Sequence, residues 1–123
     1  MAQKILIVED EPSINQLYEI KFKSEGYDVI TAWNGVEGLE VAQKFQPDII
    51  LLDLLMPEMN GEEMLEKMRK TGWGQDMKVI ILTNVSPEEA PDGIRNFMIS
   101  RYIVKAEMTT DEVVQIVKAA LAE

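Results

Sequence analysis

The sequence predicts a small doubly wound α/β domain built on one parallel sheet, and three observations predict it. Five short, β-branched apolar segments recur, at 4–8, 28–32, 48–53, 78–83 and 101–105. Three of them contain the near-continuous apolar runs ILIV, IILL and VIIL, the pattern of strands buried on both faces and therefore central in a parallel sheet. The stretches between them show helical periodicity, and strands that alternate with helices wind into one sheet covered on both faces.

The elements follow in order. After the first strand, Glu11-Pro12 starts a helix with proline in its first turn, and Ile14, Leu17, Tyr18 and Phe22 form its apolar stripe up to Gly26. Val36, Leu39 and Ala42 mark a second helix. Asn60 with Glu63 has the spacing of a capping box for a third, whose core face is Met64, Leu65 and Met68. A Gly72-Trp73-Gly74 loop precedes the fourth strand. A fourth helix is expected within 87–98, shortened or distorted by Pro91 and Gly93. Thr109 with Glu112 starts a fifth, along which Val113, Val117 and Leu121 repeat. The eight methionines are expected as core filling, and Trp33 and Trp73 near loops.

Composition bounds the chemistry. The chain has 123 residues, 46% of them hydrophobic and 28% charged, enough for one core and one domain over 1–123, with no linker or output domain in view. It has no cysteine and no histidine, which removes thiol nucleophiles, thiolate or imidazole metal sites and imidazole bases. The longest apolar runs are far too short to span a bilayer, and the first residues do not resemble a signal peptide, so a cytoplasmic protein without membrane insertion is expected. A net charge of −10 argues against direct nucleic-acid binding and favours cations or basic partner surfaces. Residues 1–61 carry 4 basic and 11 acidic groups, so the front half holds the anionic focus.

In an open parallel sheet, function sits at the carboxyl ends of the strands. There the first strand delivers Glu9-Asp10-Glu11, the third Asp53, the fourth Thr83 and the fifth Lys105. Crowded carboxylates raise one another's pKa unless a cation lies between them, and an all-oxygen donor set points to a hard ion, with Mg2+ the best match. Asp53 has the makings of a nucleophile that accepts a phosphoryl group, with Lys105 and Thr83 as donors to its oxygens.

These residues carry a resemblance. The acidic pair Glu9-Asp10, the block from Asp53 to Gly61 (DLLMPEMNG), Thr83 and the stretch Tyr102-Ile-Val-Lys105 together resemble the receiver domain of two-component response regulators, similar to single-domain chemotaxis-type receivers. The resemblance implies a flavodoxin-like (βα)5 three-layer sandwich with strand order 2-1-3-4-5. It implies that a sensor histidine kinase or phosphotransfer protein phosphorylates Asp53, with Mg2+ held by Asp10, Asp53 and the backbone carbonyl of Leu55, and Glu9 assisting through water. It implies a switch in which Thr83 moves toward the phosphoryl group and Tyr102 turns inward. The face of the fourth helix, fifth strand and fifth helix then changes for a downstream protein or for a phosphorylation-dependent homodimer, with Arg95, Arg101 and Lys118 making that face less acidic. The resemblance also implies that the two positions tuning hydrolysis in the family are Leu55 and Val85 here; both are apolar, so a comparatively persistent phosphoryl state is expected.

Two departures stand out. Ala106 follows Lys105 where the family usually has proline, and a trans peptide, or a strained cis bond held by its surroundings, is expected there. Asn84 follows Thr83 where a small residue is usual, narrowing the cleft or adding a hydrogen bond to the phosphoryl group. Three rival readings compete: an FMN carrier, which lacks its phosphate loop here; an aspartyl phosphatase, which lacks its Asp-x-Asp motif and cap; and a pseudo-receiver that keeps the fold without phosphorylation.

Overall fold

The computed structural model describes residues 2–123, with Arg95 described by its backbone alone. The elements are β1 (Lys4–Val8), α1 (Pro12–Ser24), β2 (Asp28–Ala32), α2 (Gly35–Phe45), β3 (Ile49–Leu52), α3 (Gly61–Arg69), β4 (Lys78–Thr83), β5 (Arg101–Val104) and α4 (Thr110–Leu121). Short 3-10 turns lie at Ile94–Phe97 and Lys105–Glu107. All strand pairs are parallel, in the order β2-β1-β3-β4-β5. The three strands with near-continuous apolar runs, β1, β3 and β4, occupy the middle, where both faces are covered.

Alternation along each strand divides the core into two layers. Ile5, Ile7, Ile49, Leu51, Ile80 and Leu82 pack against Tyr18 and Phe22 of α1 and Val113 and Val117 of α4. Leu6, Val8, Ile50, Leu52, Val79 and Ile81 pack on the other side against Ala42 of α2 and Met64, Leu65 and Met68 of α3. The capping boxes at Asn60/Glu63 and Thr109/Glu112 are both present. Pro12 stands in the first turn of α1, and beyond its end Gly26 takes φ +95°, a conformation that suits a residue without Cβ.

Some expectations change. Leu17 is exposed, because α1 buries Asn15, Tyr18 and Phe22, with Ile14 partly covered, and Leu17 falls on the flank of that stripe. Val36 is exposed as well. The buried face of α2 is the small-residue set Gly35, Gly38 and Ala42, which lets the helix sit close to its neighbours: a Cβ on Gly35 would lie 2.4 Å from the carbonyl oxygen of Met59.

The expected fourth helix is absent. Residues 86–90 form turns and only Ile94–Phe97 winds, as a 3-10 turn, so among the described residues four α-helices cover the sheet instead of five. Pro91 lacks an N–H and blocks the preceding turn, Gly93 adds backbone freedom, and Ile94 is the buried apolar anchor of the segment.

Arg69, the last residue of α3, reaches across to this segment. Its Nε donates to the carbonyl of Phe97 at 2.7 Å, and its Nη1 donates to Gly74 and Met77 at 2.8 and 2.7 Å. One guanidinium thereby satisfies carbonyls from both the α3–β4 and the β4–β5 connections. Arg69→Met is expected to destabilise the fold by about 2–3 kcal/mol, since it strands carbonyls that a charged donor served. The control Arg101→Met, at an exposed strand residue, is expected to stay within about 0.5 kcal/mol, with urea unfolding midpoints and slopes as the readout for both.

Candidate functional site

The sheet order reverses between β1 and β3, and a crevice opens beyond their carboxyl ends. Val8 pairs with Leu52, so the next residues, Glu9 and Asp53, emerge side by side. The ladder runs one step further, with the Asp53 N–H donating to the Val8 carbonyl and the Glu9 N–H to the Ala32 carbonyl, both at 3.1 Å. Thr83 pairs with Val104, which places Lys105 just past the end of the β4–β5 ladder. Glu9, Asp10, Glu11, Asp53, Leu55, Thr83, Asn84 and Lys105 line one cleft of about 250 Å³.

Carboxylate oxygens of Glu9, Asp10 and Asp53 lie within 4.8 Å of one another. Glu9 and Asp53 are 4% and 6% exposed, while Asp10 is open to solvent. The Lys105 ammonium donates to Asp53 Oδ2 at 3.0 Å and to Glu9 Oε1, so one cation is shared by two buried anions. Asp53 Oδ1 accepts the Leu55 N–H at 3.2 Å, and Glu9 Oε2 accepts the Glu11 N–H at 3.0 Å. Beside Asp53, Gly61 lets α3 start against the strand end, where a Cβ would lie 2.2 Å from the Asp53 carbonyl oxygen.

Burial pushes the Glu9 carboxyl above its ordinary range; the hydrogen bonds from Lys105 and Glu11 pull it back only in part, and the Asp53 charge adds to the rise. Burial pulls the Lys105 ammonium down, but its hydrogen bonds to Glu9 and Asp53 and their charges outweigh this and leave it above its ordinary value. The two directions agree physically: the ammonium has two anions, whereas each anion has only a share of one ammonium.

Thr83 is fully buried at the strand end, and its Oγ1 accepts the Val85 N–H at 3.4 Å. The half-buried Tyr102 donates its hydroxyl to the Val85 carbonyl at 2.7 Å, so the Val85 backbone connects the threonine with the tyrosine. The Leu55 side chain is 64% exposed at the rim of the cleft. No cis peptide occurs among the described residues, so Lys105-Ala106 is trans as expected. Lys118 does not serve the face of β5: it pairs with Glu25 at the end of α1, at 2.7 Å, because α4 packs on the α1 side of the sheet. The side chain of Arg95, expected on that face, lies outside the described residues.

Sequence reasoning missed Asn15. It is buried, and its Nδ2 donates to the carbonyls of Glu9 at 2.9 Å and Ala32 at 3.3 Å, anchoring the turn that carries the acidic residues. The signal was a polar residue beside Ile14 on the buried side of an amphipathic helix, where an amide needs partners.

Fold and cleft together define a class: a doubly wound α/β domain with an acidic, lysine-capped site at its switch point. Comparison with known proteins agrees. Residues 5–118 match the model of the response regulator receiver domain. The chain is 35% identical over 94 residues to the DNA-binding dual master transcriptional regulator RpaA of Synechocystis, covering 76% of this chain and 38% of that protein. It is 32% identical over 113 residues to hybrid signal transduction histidine kinase D of Dictyostelium discoideum, covering 92% of this chain and 7% of the kinase. Among solved structures, the response regulator TrrA of Thermotoga maritima in complex with Mg(2+)-BeF is 33% identical, with a TM-score of 0.81 over 95% of this chain and 97% of that one. The chemotaxis response regulator CheY4 of Vibrio cholerae is 29% identical, with a TM-score of 0.87 over 97% of this chain and 98% of that one.

The chain belongs to the response regulator receiver domain family. Receiver domains are phosphoryl-accepting modules of two-component signalling, phosphorylated on aspartate with Mg2+ at an acidic pocket. The matched region spans well under half of these two relatives, and no helix among the described residues is long and apolar enough to cross a membrane.

The raised Glu9 carboxyl has a signed consequence. A carboxyl whose folded pKa exceeds its unfolded value costs stability at neutral pH, and that cost fades as pH falls through the folded value toward 4.5. In metal-free buffer, Glu9→Gln is therefore expected to raise the thermal midpoint at pH 7, with the gain shrinking to nothing below about pH 4.5. Melting curves across that pH range read it.

Proposed function

We propose that Asp53 is the phosphoacceptor of this chain and that residues 1–123 act as a receiver switching a protein-binding face. One observation carries the reading: Asp53, buried at the switch point, holds the Lys105 ammonium at 3.0 Å, with Thr83 in the same cleft. In the transfer step an Asp53 carboxylate oxygen attacks phosphorus on the phosphohistidine of a sensor kinase or phosphotransfer protein. The P–N bond breaks, its electron pair returns to the imidazole, which takes up a proton, and an acyl phosphate remains on Asp53. Lys105 and the Thr83 hydroxyl donate to the phosphoryl oxygens as negative charge shifts onto them. Having no histidine, the chain receives phosphoryl groups and promotes its own phosphorylation and dephosphorylation without acting on a separate substrate.

The donor set fits Mg2+. Three carboxylates face one ammonium, which leaves two negative charges uncompensated, and every available donor is an oxygen. Asp10, Asp53 and the Leu55 carbonyl would hold the ion, with Glu9 assisting through water. Bound there, Mg2+ supplies charge neutralisation at the phosphoryl oxygens.

Readout follows the backbone of Val85. A displacement of Thr83 is passed through Val85 to the Tyr102 hydroxyl, and so to the face formed by the 3-10 turn at Ile94–Phe97, β5 and α4. Phosphorylation shifts this element only as far as the phosphoryl group binds one arrangement better than the other. The output is protein association, by docking to a downstream target or by homodimerisation, with no direct contact to nucleic acid. Leu55 and Val85 offer no polar side chain to orient a hydrolytic water, so the phosphoryl state is persistent.

Intact-mass spectrometry after incubation with Mg2+ and a small acyl-phosphate donor tests the reading. The wild type is expected to gain one phosphoryl group, while Asp53→Asn and a chelated sample gain none. A folded wild type that stays unmodified, or an Asp53→Asn variant that is modified equally, overturns it.

A further inference from the structure

The two residues that depart from the receiver pattern are joined to each other. The Ala106 N–H donates to Asn84 Oδ1 at 3.1 Å. Neither half of this bond exists in the usual pattern: proline at 106 has no N–H to give, and a small residue at 84 has no acceptor that reaches. Because the backbone partner is a donor, the amide orientation of Asn84 is settled, with its oxygen toward Ala106.

The location gives the bond its meaning. Asn84 directly follows Thr83, and Ala106 directly follows Lys105, so the two donors of the cleft each stand one residue from an end of the bond. The β4–β5 ladder stops at the Thr83–Val104 pair, and the Asn84–Ala106 contact continues it by one side-chain rung at the mouth of the cleft. Beyond that point both chains turn away, β4 into the irregular connection and β5 into the 3-10 turn at Lys105–Glu107.

We infer that Asn84 is a positioning residue of the phosphoryl cleft: its rung to Ala106 locks the turn carrying Lys105 to the strand end carrying Thr83, so that hydroxyl and ammonium meet the phosphoryl group as one rigid pair. The inference rests on the phosphoacceptor reading and adds a device built from residues 84 and 106 of this chain. Both rung residues are exposed, so an Ala106 amide without a partner would exchange freely with solvent.

Two measurements on the full chain test it: hydrogen exchange of the Ala106 amide by NMR, and affinity for beryllofluoride, a phosphoryl mimic, in saturating Mg2+. The variants are Asn84→Leu, which removes the acceptor, Ala106→Pro, which removes the donor, Ala106→Gly, which keeps it, and the double variant N84L/A106P. The Ala106 amide is expected to be protected in the wild type and to lose protection in Asn84→Leu. Beryllofluoride affinity is expected to fall about 3- to 10-fold in Asn84→Leu and in Ala106→Pro, to fall no further in the double variant, and to hold within about twofold in Ala106→Gly. A fast-exchanging wild-type amide, an unchanged affinity in Asn84→Leu, or additive losses in the double variant overturns the inference. A wild type with a protected amide that binds no beryllofluoride overturns the phosphoacceptor reading instead and leaves the rung standing.

Discussion

Three carboxylates meeting at the exit of β1 and β3 are the constraint around which the rest of the molecule is arranged. Two of them are buried, and burying charge is costly unless it is paired and hydrogen-bonded. The chain meets that cost with a single ammonium, two backbone N–H donors and an asparagine that holds the carrying turn in place. This compensation is incomplete by design of the charge count. Excess negative charge of this kind favours a cation, in keeping with the Mg2+ that receiver domains bind at an acidic pocket.

The strand exits divide accordingly into a central pair and a pair nearer the sheet edge. The strand exits carrying Glu9 and Asp53 are central, backed by both core layers and by the close approach of α3 at Gly61. The exits carrying Thr83 and Lys105 lie toward the β5 edge and lead into turns. Between β4 and β5 no α-helix occurs among the described residues; Ile94 anchors the connection in the core, Arg69 on the Phe97 carbonyl and Tyr102 on the Val85 carbonyl tie it down, and Asn84 at its start reaches the Ala106 N–H just beyond β5. Bonds of this kind each contribute modestly to stability, so the segment depends on several of them acting together with its buried anchor Ile94.

Much of the fold and most of the residues lining the cleft were legible in the sequence, because both are written in local patterns. Apolar runs name the buried strands, capping boxes name two helix starts, and polar residues that abruptly end apolar strands name Glu9, Asp53 and Thr83. What stayed hidden depends on partners distant in sequence. Leu17 and Val36 fit a helical stripe, but which flank of the stripe meets the sheet is decided by how the helix docks. Arg69 reads as an ordinary basic residue at a helix end until the connection 28 residues later supplies its carbonyl acceptor. Lys118 looks free to modify a docking face, yet Glu25, 93 residues earlier, claims it. The bond between Asn84 and Ala106 follows the same logic: each is a departure on its own, and only the fold makes them a pair.

Thermal unfolding of the wild type and of Asp10→Asn, across a Mg2+ series that starts from a chelated sample, tests the charge arrangement most directly. If the cleft is held in mutual repulsion until a cation enters, the wild-type midpoint climbs with Mg2+ concentration as mass action requires. Asp10→Asn then starts from a higher metal-free midpoint and loses the dependence on Mg2+. A wild-type midpoint indifferent to Mg2+, or a metal-free Asp10→Asn midpoint below that of the wild type, would contradict the repulsion and with it the site's reading as a cation and phosphoryl cleft.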